Sequence, residues 1–401
     1  MSSPLRILQI TNRIPYPLND GGNIASYHVT YYLNKAGHNV TLASLNTKKH
    51  HQDPSALQSI ANVVSVDIDT SITPWGLIEG VFSNIPYNVK RFKSEAFENA
   101  LQQILTDNTF DIIQLEGSYM VLYISVLRKY SKAKIILRSH NIEHEIWQRM
   151  AFNEPNVLKK WYFNLLANKI RRFENTTLHD VDAIVSITDR DSTYYKNQDF
   201  KGELITINAG ADLSKFKPDF SKAQKNTLCF LAGMDWMPNQ QGLDWFLEHV
   251  WPSLKKMCPQ ITLHIAGKAT PERYFQLNDA SIHVHGLVPD AVEYLQKYDI
   301  FIVPLLSGGG MRLKVVEGMA AGKCIVSTSI GAEGIDYKNR KNIIIADTAQ
   351  EWIKEIAALA SDTDVTKNIG KEASILAVEK YNWENLINTF ILLYHRLIKN
   401  N

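Results

Sequence analysis

A chain of 401 residues exceeds the roughly 250–300 residues that one hydrophobic core serves, so two compact halves are expected. Its 45% hydrophobic and 21% charged residues supply two cores and exclude a disordered chain. Because 43 Lys and Arg nearly balance 41 Asp and Glu, no global field points to nucleic acid, and an anion site has to be built locally.

The N-terminal "MSSPLRILQIT" lacks a basic segment ahead of a long apolar run. Nowhere do about 18 apolar residues follow one another, so neither a signal peptide nor a membrane span is predicted. "LRILQIT" (5–11) reads as a buried parallel strand, "GGNIASYHVTYYLNKAG" as a helix ending at Gly37, and "HNVTLASL" as the next strand. Gly21 and Gly22, about ten residues beyond the first strand, offer a close-backbone contact for an anion or sugar; a simple turn before a helix is the less favoured alternative. No GxGxxG follows that strand, which disfavours NAD-dependent oxidoreduction. Asp67 and Asp69 form a D-x-D string without further ligands and read as solvent-facing, so no metal is predicted.

The alternation recurs in "FDIIQLEG", "KAKIILRSHN" and "VDAIVSITDRD", which argues for a doubly wound parallel sheet. His140 closes "KIILRSH" at a strand's carboxyl end, where a histidine is as readily structural as ligand-binding. The helix 157–177 carries Leu158, Trp161, Tyr162, Leu165, Leu166, Ile170 and Phe173 in a stripe, with Lys159, Lys160, Lys169, Arg171 and Arg172. Core packing is the favoured reading of that stripe, and a peripheral contact with anionic lipid headgroups the alternative.

A short strand ending at Asn208 precedes polar, Pro-containing residues and a fresh strand at 227–232. The predicted organisation is 1–212, 213–378, and a terminal helix over 379–401 that packs back on the first half. The second half repeats the alternation with "ITLHIAG", "SIHVHGLV", "YDIFIVPL", "KCIVSTS" and "NIIIAD". In the last helix Trp383, Leu386, Ile387, Phe390, Leu393 and Tyr394 share a face. Cys229, Cys258 and Cys324 are odd in number and widely spaced, which speaks against disulfides or zinc and for a reducing, cytoplasmic setting.

The densest signal is "PLLSGGGMRLKVVEGMAAGKCIVST" (304–328). A buried strand ends at Pro304 and Leu305, and ligands of open α/β sheets bind beyond such carboxyl ends. Gly308, Gly309 and Gly310 let a phosphate approach the backbone without meeting a Cβ. A helix over 311–321, with Gly322 as its C-cap, places Arg312 on the first turn, where it can grip a diphosphate, and Lys314 beside it. Glu317 can accept both hydroxyls of a ribose. The alternative is a glycine-rich turn before an ordinary solvent-facing helix.

This run resembles the C-domain signature of retaining GT-B glycosyltransferases of family GT4, E-x7-E within "EGFGLxxxEAMA". Glu317 takes the second glutamate, Gly309 stands at the first, and Arg312 occupies a glycine's place. "GGGMRLKVVEGMAAG" is closest to the exopolysaccharide branch linked to PEP-CTERM/exosortase systems. "NRIPYPLNDGGNIASYHVTYYLNKAGHNVTLASL", "PYNVKRFKSEAF", "LRSHNIEHEIWQRMA", "FLAGMDWMPNQQGLDWFLEHVWPSL" and "VHGLVPDAVEYLQKYDIFIVPL" resemble that branch in order along the chain. Where its N-terminal loop more often has an acid and an arginine, this chain has Gly22 and Ala25.

The resemblance implies an α/β protein of GT-B type, two Rossmann-like doubly wound domains facing a cleft. It implies transfer from a nucleotide-sugar donor to a hydroxyl of a saccharide or lipid-linked saccharide acceptor, with retention and without metal or other cofactor. It carries a donor-sugar contact to His140 and, less firmly, to Glu143. "GMDWMPNQQG" lacks the cations many relatives have there, so Arg312 and Lys314 are expected to supply them, while Asp235 and Asn239 contact sugar or base. The enzyme is expected in the cytoplasm, at most peripheral to the inner membrane face through 157–177. A GT-B sugar-nucleotide epimerase and a non-catalytic sugar-binding subunit are the rival readings.

Overall fold

The computed structural model describes residues 3–18, 21–308 and 311–399; Gly309 and Gly310 lie outside the described residues. The chain divides into two units, Met1–Asn208 with Leu386–Asn401, and Ala209–Asn385.

In the first unit, β1 (Arg6–Thr11), β2 (Asn39–Thr47), β3 (Asn62–Ile68), β4 (Ile112–Glu116), β5 (Lys134–Ser139), β6 (Ala183–Ser186) and β7 (Glu203–Thr206) form a parallel sheet in the order 3-2-1-4-5-6-7. Strands covered on both faces read as near-continuous apolar runs, and Ile7, Leu8, Ile10, Ile112, Ile113 and Leu115 are all buried. The strand order reverses between β1 and β4, the place where such sheets open a crevice. Helix α1 (Gly21–Lys35) begins at the glycine pair itself. It ends in a Schellman turn: Gly37, at φ +88°, donates to Asn34 O, and His38 donates to Leu33 O.

Helix α2 (Pro74–Phe82), α3 (Glu143–Asn153) and α4 (Val157–Thr177) belong to the same unit. Only the later turns of α4 serve the core. Leu166 and Ile170 are buried and Tyr162, Leu165 and Phe173 partly so, while Leu158 and Trp161 are exposed, so core packing accounts for the later part of the predicted stripe and leaves its first turns outside. Asp67 and Asp69 are exposed and pair with His51 (3.4 Å) and Lys48 (3.3 Å).

In the second unit, β8 (Gln224–Leu231), β9 (Thr262–Ala266), β10 (Ile282–Gly286), β11 (Tyr298–Val303), β12 (Cys324–Ser327) and β13 (Ile344–Ile345) form a parallel sheet in the order 10-9-8-11-12-13. Its switch point lies between β8 and β11, so "GMDWMPNQQG" and "PLLSGGGMRLK" leave neighbouring strands at the same edge. The unit opens at Ala209, earlier than the change in composition suggests, because Ala211 donates to Tyr381 O (3.0 Å) and bridges Asn382. Cys229, Cys258 and Cys324 are buried free thiols.

The last helix spans Trp383–Lys399; Trp383, Leu386, Ile387, Phe390, Leu393 and Tyr394 are buried. Within the first unit Tyr394 donates to the Gln114 side chain, and the Arg138 guanidinium lies 5.5 Å from the Phe390 ring centroid. Among the described residues no helix is long and apolar enough to cross a membrane.

Strands β9 and β10 stack three imidazoles. His264 lies 4.7 Å from His283 and 4.2 Å from Tyr298, ring centroid to centroid, and its Nδ1 is 3.1 Å from His285 Nε2. Burial, then the charges of His283 and His285, push His264 down to about 4. An unfolded histidine takes its proton near pH 6.5, so acid favours the unfolded chain. This stabilisation is complete above pH 6.5 and is lost progressively toward pH 4. The melting temperature is expected to fall across that window, and to fall less in His264→Phe, as thermal unfolding at stepped pH would show.

Candidate functional site

In the second unit the loop after β11 reaches Gly308 at φ +117°, a region that favours glycine. A Cβ there would lie 2.4 Å from an Arg312 guanidinium nitrogen and 2.9 Å from the Trp236 ring, so glycine is needed for space as well. Helix α6 spans Leu313–Ala320, shorter than the predicted 311–321. Arg312 is its N-cap, at φ −93° and ψ 98°. It therefore stands outside the first turn, and its guanidinium stacks on Trp236, 4.9 Å from the ring centroid. The helix closes on a Schellman turn, with Gly322 (φ +72°) donating to Met319 O and Lys323 to Gly318 O.

Val315, Val316, Met319 and Ala320 anchor α6 in the core, which leaves Lys314 and Glu317, one turn apart, half-buried on the opposite side. Lys314 donates to Asn239 Oδ1 (2.8 Å) and lies 5.6 Å from the Phe230 ring centroid. Asn239 is buried and donates back to Gly233 O (2.7 Å). Its amide thus ties the β8 loop to α6. Helix α5 (Met237–Trp245) can approach because residue 242 is glycine; a Cβ there would fall 2.2 Å from Pro304 O. Burial, then the Arg312 charge, pulls the Lys314 ammonium down to about 7, and burial raises the Glu317 carboxyl.

Asp235 turns the other way, toward Lys268 at 3.1 Å on the loop after β9. Lys268 is a third cation at this edge. Sequence patterns gave it no notice, although "AGKAT" shows a glycine and lysine at a strand's carboxyl end. Trp236 escaped for a different reason, since a tryptophan in a loop is usually packing.

The first unit has a polar cavity of about 250 Å³ at its own switch point, lined by Asn12, Arg13, Gly22, Glu116, Tyr119, His140 and Glu143 among others. Gly21 is the exposed first residue of α1. His140 Nε2 lies 2.6 Å from Glu116 Oε2. Glu116 also accepts from Gln114 (2.6 Å), Gln9 (2.9 Å), Ser26 (3.3 Å) and Arg138 (3.3 Å). Burial pushes its carboxyl up, but Arg138 and then His140 outweigh that and hold it at about 2. Arg138 is fully buried and also donates to Ala25 O (3.1 Å).

Glu143 opens α3 and accepts from Tyr119 (3.2 Å). Burial, then the Glu174 charge, lifts it to about 7. Glu174 accepts from the Glu143 and His144 amides and lies 2.7 Å from His144 Nδ1. Glu145 pairs instead with Arg149 and Arg190.

Residues 225–362, which include the β8 and β11 loops and α6, match the family described as glycosyl transferases group 1. These residues form a glycosyl transferases group 1 domain, in a chain with the GT-B fold. It is 25% identical over 399 residues to an uncharacterised 44.6 kDa protein in the cps region of Klebsiella pneumoniae, covering 96% of this chain and 98% of that one. Over 126 residues it is 31% identical to the N,N'-diacetylbacillosaminyl-diphospho-undecaprenol alpha-1,3-N-acetylgalactosaminyltransferase of Campylobacter jejuni, covering 31% of this chain and 33% of that one. Sucrose-phosphate synthase from Thermosynechococcus elongatus shares its fold at TM-score 0.71 and 14% identity, over 99% of this chain and 100% of that one. Anabaena HepE, solved with UDP, does so at 0.67 and 14%, over 98% and 100%.

The buried polar row of the first unit escaped sequence inspection for a physical reason. Gln9, Gln114, Glu116 and Arg138 each sit inside a run that reads as apolar. Register sets Gln9 beside Gln114 and Glu116 beside Arg138.

Proposed function

We propose that the second unit holds the nucleotide-sugar donor and the first the acceptor, a saccharide or lipid-linked saccharide. The observation that carries this reading is the meeting of Gly308, Arg312 on Trp236, and Lys314 on Asn239 beyond the carboxyl ends of β8 and β11. In this reading Gly308 to Gly310, Arg312 and Lys314 receive the diphosphate, and Glu317 receives the ribose. Cations fixed before the reaction meet the charge that develops on the leaving group, which is the role a metal takes elsewhere, so no cofactor is invoked. Asn239 positions Lys314, and Asp235 with Lys268 borders the sugar or base.

Replacing Glu317 with alanine is expected to raise the Kd for UDP about tenfold or more, since a charged hydrogen bond is worth roughly 1.5–3 kcal/mol. UDP is the first probe because HepE was solved with it. Unchanged affinity by calorimetry would remove the ribose assignment.

Lys314 supplies a pH test. With its amine at about 7, it is mostly neutral at pH 8, and a diphosphate beside it favours the charged form. Binding at pH 8 is therefore expected to take up a proton, and affinity to weaken as pH rises from 7. Heats of UDP binding measured in buffers of different ionisation enthalpy should reveal the uptake, and Lys314→Met should abolish it.

His140 contacts the donor sugar in this reading, and the GT4 resemblance supports retention. One observation favours a second outcome. His140 is braced by a buried, ionised Glu116, the arrangement of a general base for an acceptor hydroxyl, which would invert the anomeric carbon. The anomeric configuration of the first product, read by NMR, decides between them. The segments resembling the exopolysaccharide branch and the relative in a cps region support a role in surface polysaccharide assembly. The Campylobacter enzyme's name supports a polyprenyl-diphosphate acceptor, reached from the cytoplasmic leaflet through 157–177.

A further inference from the structure

Helix α2 turns its bulky side chains outward. Gly76 and Gly80, one turn apart, face the buried Tyr87; a Cβ at Gly76 would fall 2.3 Å from the Tyr87 ring, and one at Gly80 2.6 Å from Tyr87 Cβ. On the other side Trp75, Ile78 and Phe82, spaced three and four residues apart, are 75%, 53% and 83% exposed. A helix that serves a core has the opposite arrangement.

What holds α2 in place is backbone contact. Tyr87 accepts from Thr73 N–H (3.0 Å). Lys169 of α4 donates to Gly80 O (2.7 Å), Val81 O (2.6 Å) and Ser83 O (2.8 Å), capping the helix's carboxyl end. That lysine also sets α2 beside α4, whose first turns expose Leu158 (77%) and Trp161 (59%). The surroundings are basic. Lys159, Lys160, Arg171 and Arg172 are exposed on α4, and its one acid, Glu174, is buried against His144. The acid just before it, Glu154, accepts from Asn156 N–H (3.0 Å), and Glu79 of α2 pairs with Lys90.

We propose that α2 and the first turns of α4 form a face that lies on an anionic lipid bilayer, with Trp75, Ile78, Phe82 and Trp161 among the headgroups. Aromatic side chains suit the boundary between headgroup and acyl chain. The cations favour an anionic surface over a second copy of this chain, whose matching face would bring like charges together. The inference deepens the lipid-linked acceptor reading and rests on it for its purpose; the vesicle readout is independent of donor binding.

Flotation of the full chain with vesicles of phosphatidylcholine and phosphatidylglycerol is expected to carry most of the protein. Pure phosphatidylcholine should carry little, and added salt should release a part. The double variants Trp75→Ser/Phe82→Ser and Lys159→Glu/Lys160→Glu should each lower the bound fraction about tenfold and leave the circular dichroism and thermal unfolding of the full chain unchanged, which shows that both units fold. The proposal is overturned if the wild type stays unbound with anionic vesicles, if the variants float equally well, or if sedimentation shows the first variant turning a dimer into a monomer. Loss of UDP binding by the wild type would sink the donor assignment and leave the vesicle result standing.

Discussion

Arg312→Ala is expected to lower kcat for sugar transfer by about 10²–10³, the size of effect that removing one preorganised charge stabiliser has elsewhere. The leaving diphosphate gains charge as the glycosidic bond breaks, so a cation aimed at it acts more on the transition state than on bound donor. What makes Arg312 suited to this is its placement ahead of the reaction. The N-cap position takes it out of the helical row, and its guanidinium lies over the Trp236 ring, 4.9 Å from the centroid. Arg312→Lys keeps the charge but loses the two-pronged donor and the stacking, so its activity should fall between the two. Steady-state kinetics over a range of donor concentrations provides the check; kcat and donor KM both unchanged in the alanine variant would rule out the role.

Glu116→Ala is expected to destabilise the first unit by about 3–5 kcal/mol, because removing one partner of a buried pair leaves the other charge uncompensated. The partner here is Arg138, fully buried in β5. Gln9, Gln114, Ser26 and His140 lose an acceptor in the same step. The pH dependence has a definite sign. The folded carboxyl is held at about 2, below the roughly 4.3 of an unfolded glutamate. Its contribution is therefore complete above that value and is lost as pH falls toward 2. The gap between wild type and variant in denaturant unfolding of the first unit should be largest near neutrality and shrink in acid. A gap below about 1 kcal/mol at pH 7 would show that Arg138 finds compensation elsewhere.

Most strands were legible because a parallel strand covered on both faces needs an unbroken apolar run, and such runs as "RILQIT", "DIFIVPL" and "CIVS" are visible one residue at a time. Glycine-marked helix ends were legible for a similar local reason. Gly37 and Gly322 both take positive φ, as a Schellman turn requires. The segment holding Gly308, Arg312, Lys314 and Glu317 could also be picked out, since its residue types suit a diphosphate and a ribose.

The sequence by itself therefore determined the two doubly wound halves and the place of the glycine- and charge-rich loop after a buried strand, both of which depend on short-range pattern. Only the tertiary structure decided which side chains brace that chemistry. Trp236 meets Arg312, and Asn239 meets Lys314, because β8 and β11 are neighbours in the sheet although some 70 residues apart in the chain. Glu116 meets Arg138 and His140 through strand register, which no single strand encodes. Helix α2 makes the same point in reverse. Trp75, Ile78 and Phe82 share the spacing of a core stripe, and it is the fit of Tyr87 against Gly76 and Gly80 that sends them outward. Packing between distant segments chooses which face of a pattern is buried, and the pattern alone does not carry that choice.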